Sequence, residues 1–482
     1  MKRYLSITKK LAWLALAVAV AAHALLTPSA AHAESSRYKE EPIQFQSGET
    51  KLSGTVLMPN TPGPHPAVVL VHGSNSSDRE KYRSEAEMFA AAGIAALIYD
   101  KRADGFSQSR AGGRSYSILA EDVNAAASAL SARSDINRKA VGLWGISEGA
   151  WVASLAATRE ASPAAFLITV GAVGVLPIEQ QSWQLANRMQ DQGVSSPGMA
   201  RAFSEKSLQL ALSGGMFAEA LYDPMPTFEQ VKQPVLAIWG SRDRVEPALD
   251  SSKRIQQALQ RGGNDKVTLR FFANAGHLLK ETADGIKQLD TYPAGYAESM
   301  TSWIQQTAGG NAPESAVVGE WPKQERHAPS GIGKLHWHNS VWLQAAIALV
   351  LLFGFAGVGI RTAFRTLRKN AGTAASEPGR RSKIVLCAAA SLTVLGFLLY
   401  FGFLLTSGAK QLAPVWLGRS LVWLVLQGLA YTALAAALVH AKSLWAARFA
   451  MAAAAVRVRS GALLAASVLF ITWAAYWQLF FR

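Results

Sequence analysis

A Gly-x-Ser-x-Gly motif, from Gly145 to Gly149, is the stretch of this sequence best suited to nucleophilic chemistry. The apolar run before it predicts a strand and the Ala-rich pattern after it predicts a helix, so Ser147 falls on a tight strand-to-helix turn. Glycine is needed at both ends of the motif because a side chain there would collide with the neighbouring backbone. The backbone N–H that follows the serine, on Glu148, is placed to bind a developing oxyanion.

Two later loops supply the partners that such a serine needs. A serine hydroxyl becomes nucleophilic when an imidazole takes its proton, and a carboxylate must hold that imidazole in one tautomer. The predicted strand Val235–Trp239 leads into Asp243, and the predicted strand Val267–Phe272 leads into His277. In the fold that carries this kind of turn, the three catalytic residues follow along the chain in the order serine, acid, histidine. We therefore expect Ser147 as nucleophile, Asp243 as acid and His277 as base. The alternative acids are Glu246 and Asp250.

An earlier strand end offers the second oxyanion donor. The apolar run Ala67–Val71 ends in His72-Gly73-Ser74, and we expect the backbone N–H of Ser74 to act together with that of Glu148. For His72 we favour a structural imidazole that bonds its own loop. The Glu148 carboxylate has two open interpretations, a second catalytic acid or an ion pair with a nearby arginine.

The elements around these residues predict an α/β fold. An opening antiparallel hairpin is followed by fully apolar strands that alternate with helices, which indicates a mainly parallel sheet covered on both faces. We assign residues 34–307 to this domain. Residues 177–231 interrupt the alternation and are interpreted as a helical cap over the catalytic edge, or alternatively as connecting helices without a substrate role. Residues 308–340 are predicted to be a linker, whose three histidines we interpret as interfacial or solvated rather than as a metal site: His327, His336 and His338.

Three separated blocks carry a family resemblance. They are Val69–Ser74 with Ser77-Asp78-Arg79, Tyr99-Asp100-Lys101-Arg102 with Gly105 and Ser107, and the motif around Ser147. Residues 40–307 resemble the α/β-hydrolase esterases, most closely the exported bacterial carboxylesterase branch. The resemblance implies an eight-stranded sheet, no metal or organic cofactor, and ester hydrolysis through an acyl-enzyme. The departures, which leave substrate preference open, are Ile146, Ala150 and Ala103-Asp104.

Both ends of the sequence indicate a membrane protein. Residues 1–33 have the basic, apolar and small-residue regions of a signal peptide, with an uncleaved anchor as the alternative. Residues 341–482 are predicted to be a membrane domain with four apolar spans, each near the length that crosses a bilayer, at about 341–360, 384–405, 416–440 and 461–481. The basic segments after the first and third spans predict a multi-pass cell-membrane protein whose hydrolase domain is extracytoplasmic.

The charge distribution excludes nucleic acid as a partner. The chain has a formal net charge of +15, and the residues from Gly331 onward carry 15 Lys and Arg against one acidic residue. The basic excess therefore belongs to the membrane domain, where it follows from topology. The single cysteine, Cys387, lies in an apolar span, so an intrachain disulfide is impossible.

Together these patterns predict a membrane-tethered, extracytoplasmic serine hydrolase that cleaves carboxylic esters. The expected partners are a small or lipid-like ester, the lipid bilayer and a membrane protein bound through the four-helix region. A serine peptidase or an acyltransferase would use the same triad, since the fold does not choose between them. From another class, the protein could be a non-catalytic membrane sensor or assembly factor with a hydrolase-like binding domain. A transporter is disfavoured because the spans carry few ionisable residues.

Overall fold

The computed structural model describes residues 37–74, 78–102, 115–368, 379–447 and 454–481. The predicted signal peptide lies outside the described residues, as do three residues of the family blocks, Ser77, Gly105 and Ser107, and the departures Ala103 and Asp104.

One twisted sheet of nine strands forms the centre of the N-terminal domain, counted over the described residues. Its spatial order is β1-β2-β4-β3-β5-β6-β7-β8-β9, antiparallel from β1 to β4 and parallel thereafter. The strands are β1 (Tyr38–Ser47), β2 (Thr50–Pro59), β3 (His65–Val71), β4 (Ala95–Tyr99), β5 (Ile136–Ile146), β6 (Leu167–Val170), β7 (Val235–Gly240), β8 (Val267–Phe272) and β9 (Ala316–Val318).

Helices cover both faces of this sheet, because the parallel strands are apolar on both sides. The strands β3, β4, β6 and β7 are almost entirely buried, which matches their continuous apolar runs. The helices of the domain core are Arg83–Ala91, Tyr116–Ser131, Glu148–Ala157, Ala248–Arg261 and Tyr296–Ala308.

The ninth strand comes from the segment predicted to be a linker. Ala316–Val318 pairs in parallel with β8 at the sheet edge, and Trp321 packs on Phe271 with ring centroids 5.0 Å apart. The sheet therefore has one strand more than the eight that the resemblance implies. The linker segment is thus attached to the domain rather than being a free connection.

The inserted segment between β6 and β7 is helical, as its pattern predicts. Its helices are Pro177–Asp191, Pro197–Arg201, a π-helical turn at Ala202–Lys206, Ser207–Ser213 and Met225–Gln230. The first of these is named the first cap helix below.

Four long apolar helices follow, each long and apolar enough to cross a membrane. They are Val341–Arg368, Arg380–Ser407, Leu421–Ala446 and Ala454–Tyr476. The third begins at Leu421 rather than near residue 416, because Val415–Trp416 and Arg419–Ser420 form a small antiparallel hairpin before it. We call the connection between the second and third helices, residues 408–420, the hairpin loop.

The cap and the apolar helices share one hydrophobic cluster. Phe203 of the cap packs against the rings of Tyr400 and Trp423, with centroids 5.9 Å and 5.4 Å away. Met189 and Met199 are fully buried in the same cluster. The two parts of the chain are therefore packed together, which the sequence did not indicate.

Candidate active site

Ser147 lies at the sharp turn between β5 and the helix Glu148–Ala157. Its backbone has φ 55° and ψ −122°, a region that residues with a side chain rarely adopt. The turn is held because the Ser147 N–H donates to the Val170 carbonyl at 2.8 Å, and the Ala150 N–H donates to the Ser147 carbonyl at 2.9 Å. A strained serine at this position projects from the carboxyl edge of the sheet.

The two glycines of the motif are required by close backbone contacts. A Cβ on Gly145 would lie 2.2 Å from the Gly149 carbonyl oxygen, and a Cβ on Gly149 would lie 2.3 Å from the Val71 carbonyl oxygen. Rigid backbone occupies both places, so neither contact could be relieved by a side-chain movement. These contacts confirm that a side chain at either position would collide with neighbouring backbone.

His277 and Asp243 meet at the same edge of the sheet. The His277 Nδ1 lies 2.7 Å from the Asp243 Oδ2, and both side chains are buried. The other Asp243 oxygen accepts the backbone N–H groups of Val245 and Glu246 at 2.8 Å and 3.0 Å. Because an ionised carboxylate only accepts hydrogen bonds, the proton belongs on Nδ1, which leaves Nε2 as the basic nitrogen.

Ser147 and His277 line one cavity, although no hydrogen bond joins their side chains among the described residues. Catalytic hydrogen bonds are often long without a substrate and tighten when one binds. The structure thus brings the serine and the histidine–aspartate pair to a common space.

The two alternative acids take other positions. Asp250 accepts a hydrogen bond from His327 Nδ1 at 2.6 Å. Glu246 is fully buried beside Asp243, and its carboxyl oxygens have no hydrogen-bond partner in the described structure. Burial, reinforced by the charge of Asp243, raises the pKa of Glu246 well above its usual range. Burial therefore favours the neutral form of Glu246, and Asp243 is the acid that contacts His277.

A cation site at this cluster is disfavoured by its chemistry. Asp243, Glu246 and His277 offer ligand atoms within 4.8 Å of one another. However, Asp243 Oδ2 and His277 Nδ1 are engaged with each other, and the raised pKa of Glu246 disfavours the ionised form that a metal ligand needs.

The loop after β3 is fixed beside the serine by two side chains. The Gly73 N–H donates to the Tyr82 hydroxyl at 3.0 Å, and Lys101 Nζ donates to the Gly73 carbonyl at 3.0 Å. Lys101 also bonds Glu148 Oε1 at 2.8 Å, and both side chains of this ion pair are buried. The pair links the loop that carries Ser74 to the start of the helix after Ser147. An ion pair with an arginine was one of the two interpretations of Glu148 from the sequence, and the structure shows an ion pair with Lys101 instead.

Each residue of the Tyr-Asp-Lys-Arg block has a structural contact. Tyr99 supplies its carbonyl to His72 Nε2 at 2.6 Å, Asp100 pairs with Arg79, and Arg102 pairs with Asp122. His72 therefore bonds the end of β4 rather than its own loop. Burial lowers the pKa of His72 to about 4, so its imidazole is neutral near pH 7.

The cavity in front of Ser147 has a volume of about 810 Å³, within the range of small-molecule sites. Ser74, Ser147, Glu148 and His277 line its floor. The cap supplies both apolar side chains and glutamines to the walls. Three cations also line the cavity: Lys81, Arg188 and Lys410. Lys410 comes from the hairpin loop, which no sequence signal connected to the site.

Comparisons with known proteins agree with this architecture. Residues 62–194 match the family described as serine aminopeptidase, S33; that stretch includes Ser147 but neither Asp243 nor His277. The sheet topology and this match establish the α/β-hydrolase fold. The match also supports a hydrolase. No curated protein matches the chain.

Three solved structures illustrate how distant the similar folds are. The 2,6-dihydroxy-pseudo-oxynicotine hydrolase is 19% identical with a TM-score of 0.42, covering 59% of this chain and 72% of that protein. The dienelactone hydrolase of Anabaena variabilis is 19% identical with a TM-score of 0.37, covering 56% and 98%. The Pyrococcus furiosus esterase Pf2001 is 18% identical with a TM-score of 0.38, covering 57% and 92%. Similarity at this level says nothing about substrate.

Proposed function

We propose that this protein is a membrane-tethered serine hydrolase that cleaves carboxylic esters. The observation that carries the proposal is the His277–Asp243 hydrogen bond of 2.7 Å at the cavity that holds the strained Ser147. An imidazole that is oriented by a buried carboxylate and shares a cavity with a serine hydroxyl is the arrangement that activates a nucleophile.

In the proposed reaction, the Ser147 oxygen attacks the ester carbonyl while His277 Nε2 takes the serine proton. The tetrahedral oxyanion is bound by the backbone N–H groups of Ser74 and Glu148. When the intermediate collapses, the bond to the alcohol breaks and the imidazolium donates its proton to the leaving oxygen. Water then attacks the acyl-enzyme, with His277 again acting as base, and releases the acid and free Ser147. Asp243 stabilises the imidazolium formed in each half-reaction.

The test is ester hydrolysis by the full chain and its triad variants. Ser147→Ala and His277→Ala should each lower kcat by about 10⁴-fold or more, and the double variant should be no worse than either single one, because triad residues act as a unit. Asp243→Asn should be impaired, whereas Asp250→Asn should retain activity. Full activity in a well-folded Ser147→Ala protein would rule out the mechanism.

We also propose that the hydrolase domain lies outside the cytoplasm. The cap contacts the hairpin loop and the end of the chain near Tyr476, so it sits at one end of the apolar helices. Arg361, Arg380 and Lys442 lie toward the other end of these helices, and positive segments remain cytoplasmic. Alkaline phosphatase fused after Arg482 should be active in cells, while a green fluorescent protein at the same place should be dark. The opposite pattern would contradict this orientation.

A peptidase is the second candidate, favoured by the description of the matched family. An aminopeptidase must bind the α-ammonium of its substrate, which calls for a free carboxylate in the cavity. Among the described residues that line the cavity, the one carboxylate is Glu148, which is paired with Lys101. We therefore expect esters to be hydrolysed faster than aminoacyl p-nitroanilides, and the reverse order would favour the peptidase.

A further inference from the structure

The hairpin loop between the second and third apolar helices supplies part of the cavity in front of Ser147. Lys410, in the hairpin loop, lines the same space as Ser147 and His277. The loop is held on the first cap helix, because Arg188 Nη1 donates to the Gly408 carbonyl at 3.0 Å and the adjoining Gln192 amide donates to the Ala409 carbonyl at 2.8 Å. Gln192 also accepts the Leu412 N–H at 3.0 Å. Arg188 and Lys410 therefore line one cavity from two segments that are hydrogen-bonded to each other.

These cations have no acidic partner in the described structure. Arg188 is half-buried and its guanidinium bonds only a backbone carbonyl. Burial lowers the pKa of Arg188, and no nearby carboxylate raises that pKa again. The guanidinium nevertheless stays charged, as guanidinium groups do in proteins. Lys410 is exposed and forms no ion pair with any described residue. A half-buried arginine normally finds an anion, because an unpaired charge is costly to desolvate.

The remaining charges of the cavity do not neutralise this pair. Lys81 adds a third cation to the lining, and Glu148 is paired with Lys101. The carboxyl of Glu219, close to Glu148, has its pKa raised by burial, which favours its neutral form. The rest of the lining combines apolar side chains, including Trp151, Leu208 and Phe217, with neutral polar ones, including Gln181 and Gln184.

We propose that Arg188 and Lys410 bind the anionic group of an ester substrate, a carboxylate or a phosphate, while the apolar side chains of the lining hold its acyl chain. This inference rests on the proposed hydrolase function and names its substrate class. An anion between the two cations forms charge-assisted hydrogen bonds, for which arginine offers several donors. Anionic esters reach the cavity either from solution or as lipids of the adjacent bilayer surface.

The test uses the full chain in detergent with two esters that differ by one charge. These are p-nitrophenyl hexanoate and the mono-p-nitrophenyl ester of adipic acid, which has the same chain length and a terminal carboxylate. The wild type should prefer the adipate ester in kcat/KM. Arg188→Gln and Lys410→Gln should each reduce the adipate-to-hexanoate ratio about tenfold, mainly through KM, and Arg188→Lys should retain most of it.

Matched controls are Arg254→Gln and Lys253→Gln, two exposed cations on the helix Ala248–Arg261, which should leave the ratio unchanged. Since Lys410 is exposed, its replacement tests the charge even if Arg188→Gln disturbs the cap. An unchanged ratio in both cavity variants overturns the inference and leaves the hydrolase proposal standing. No turnover of either ester by the wild type overturns the hydrolase proposal and this inference with it.

A second arm distinguishes the two sources of the ester. The full chain is reconstituted into vesicles of phosphatidylglycerol or of phosphatidylcholine, and released fatty acid is measured. If fatty acid is released from phosphatidylglycerol vesicles alone, and Lys410→Gln abolishes that release, the substrate is a membrane lipid. Preference for the soluble adipate ester without lipid release supports a soluble anionic ester. Equal release from both vesicles, unaffected by Lys410→Gln, contradicts recognition of an anion.

Discussion

The buried ion pair between Lys101 and Glu148 should be one of the most sensitive points of the hydrolase domain. Its side chains are 3% and 5% exposed, and Lys101 also bonds the Gly73 carbonyl. Lys101→Met leaves the Glu148 carboxylate buried without this cation, which costs about 3–5 kcal/mol of unfolding free energy. At about 2–4 °C per kcal/mol for a domain of this size, the melting temperature should fall by about 6–20 °C.

A double-mutant cycle gives the sharpest reading of this prediction. Because the two buried side chains contact each other directly, Lys101→Met combined with Glu148→Gln should cost clearly less than the sum of the two singles, with a coupling of about 2 kcal/mol or more. The exposed pair Arg261–Glu229 is the matched control, and Arg261→Met should cost less than about 1 kcal/mol. Thermal unfolding of the full chain in detergent is the assay.

The catalytic consequence can be measured on the same proteins. Lys101 holds the loop before Ser74 against the helix that begins at Glu148, so its loss should lower kcat more than it raises KM, as expected for an interaction that serves the transition state. Strictly additive single changes, or a loss of stability no larger than that of Arg261→Met, would refute the reasoning about the buried pair.

Three further predictions follow from other parts of the structure. Because the Ser147 backbone has a positive φ, Ser147→Gly should be more stable than Ser147→Ala by about 1 kcal/mol although both are inactive, and equal melting temperatures would argue against strain. Because the pKa of Glu246 is raised in the folded state, its contribution to stability is full below pH 4.5 and is lost as the pH rises through the pKa of the folded state. Glu246→Gln should therefore stabilise the protein relative to the wild type at alkaline pH. A difference in melting temperature that is flat across pH would contradict this. A soluble chain ending at residue 310 lacks β9 and the Trp321 contact that covers Phe271, so it should melt below one ending at residue 333, and equal stability would show that β9 contributes nothing.

Much of the sheet could be predicted because its strands are continuous apolar runs. The runs before His72, Ser147, Asp243 and His277 correspond to β3, β5, β7 and β8, and parallel strands bring their carboxyl ends to one edge. Sequence order therefore sufficed to place the candidate residues on neighbouring loops. The need for glycine at position 145 could also be predicted, because a tight strand-to-helix turn leaves no room for a side chain there.

Features that depend on distant contacts could not be predicted. The strand β9 has three residues, too short for a periodic signal, and it exists because β8 offers an open edge. Trp416 in the hairpin loop was predicted to begin an apolar span, because Trp416 and Leu417 continue the hydrophobic run. In the structure, Gly418 has a positive φ and turns the chain before the helix begins. Likewise, only the packing of the cap on the apolar helices brings Lys410 to the cavity.

The most direct test of the central claim is to locate the nucleophile chemically. The full chain is treated with a fluorophosphonate probe, digested, and analysed by mass spectrometry, beside Ser147→Ala as a folded control checked by thermal unfolding. We predict a single covalent adduct on Ser147 in the wild type and none in the variant. A folded wild-type protein without an adduct, or with its adduct on another residue, would contradict the assignment of Ser147 as the catalytic serine.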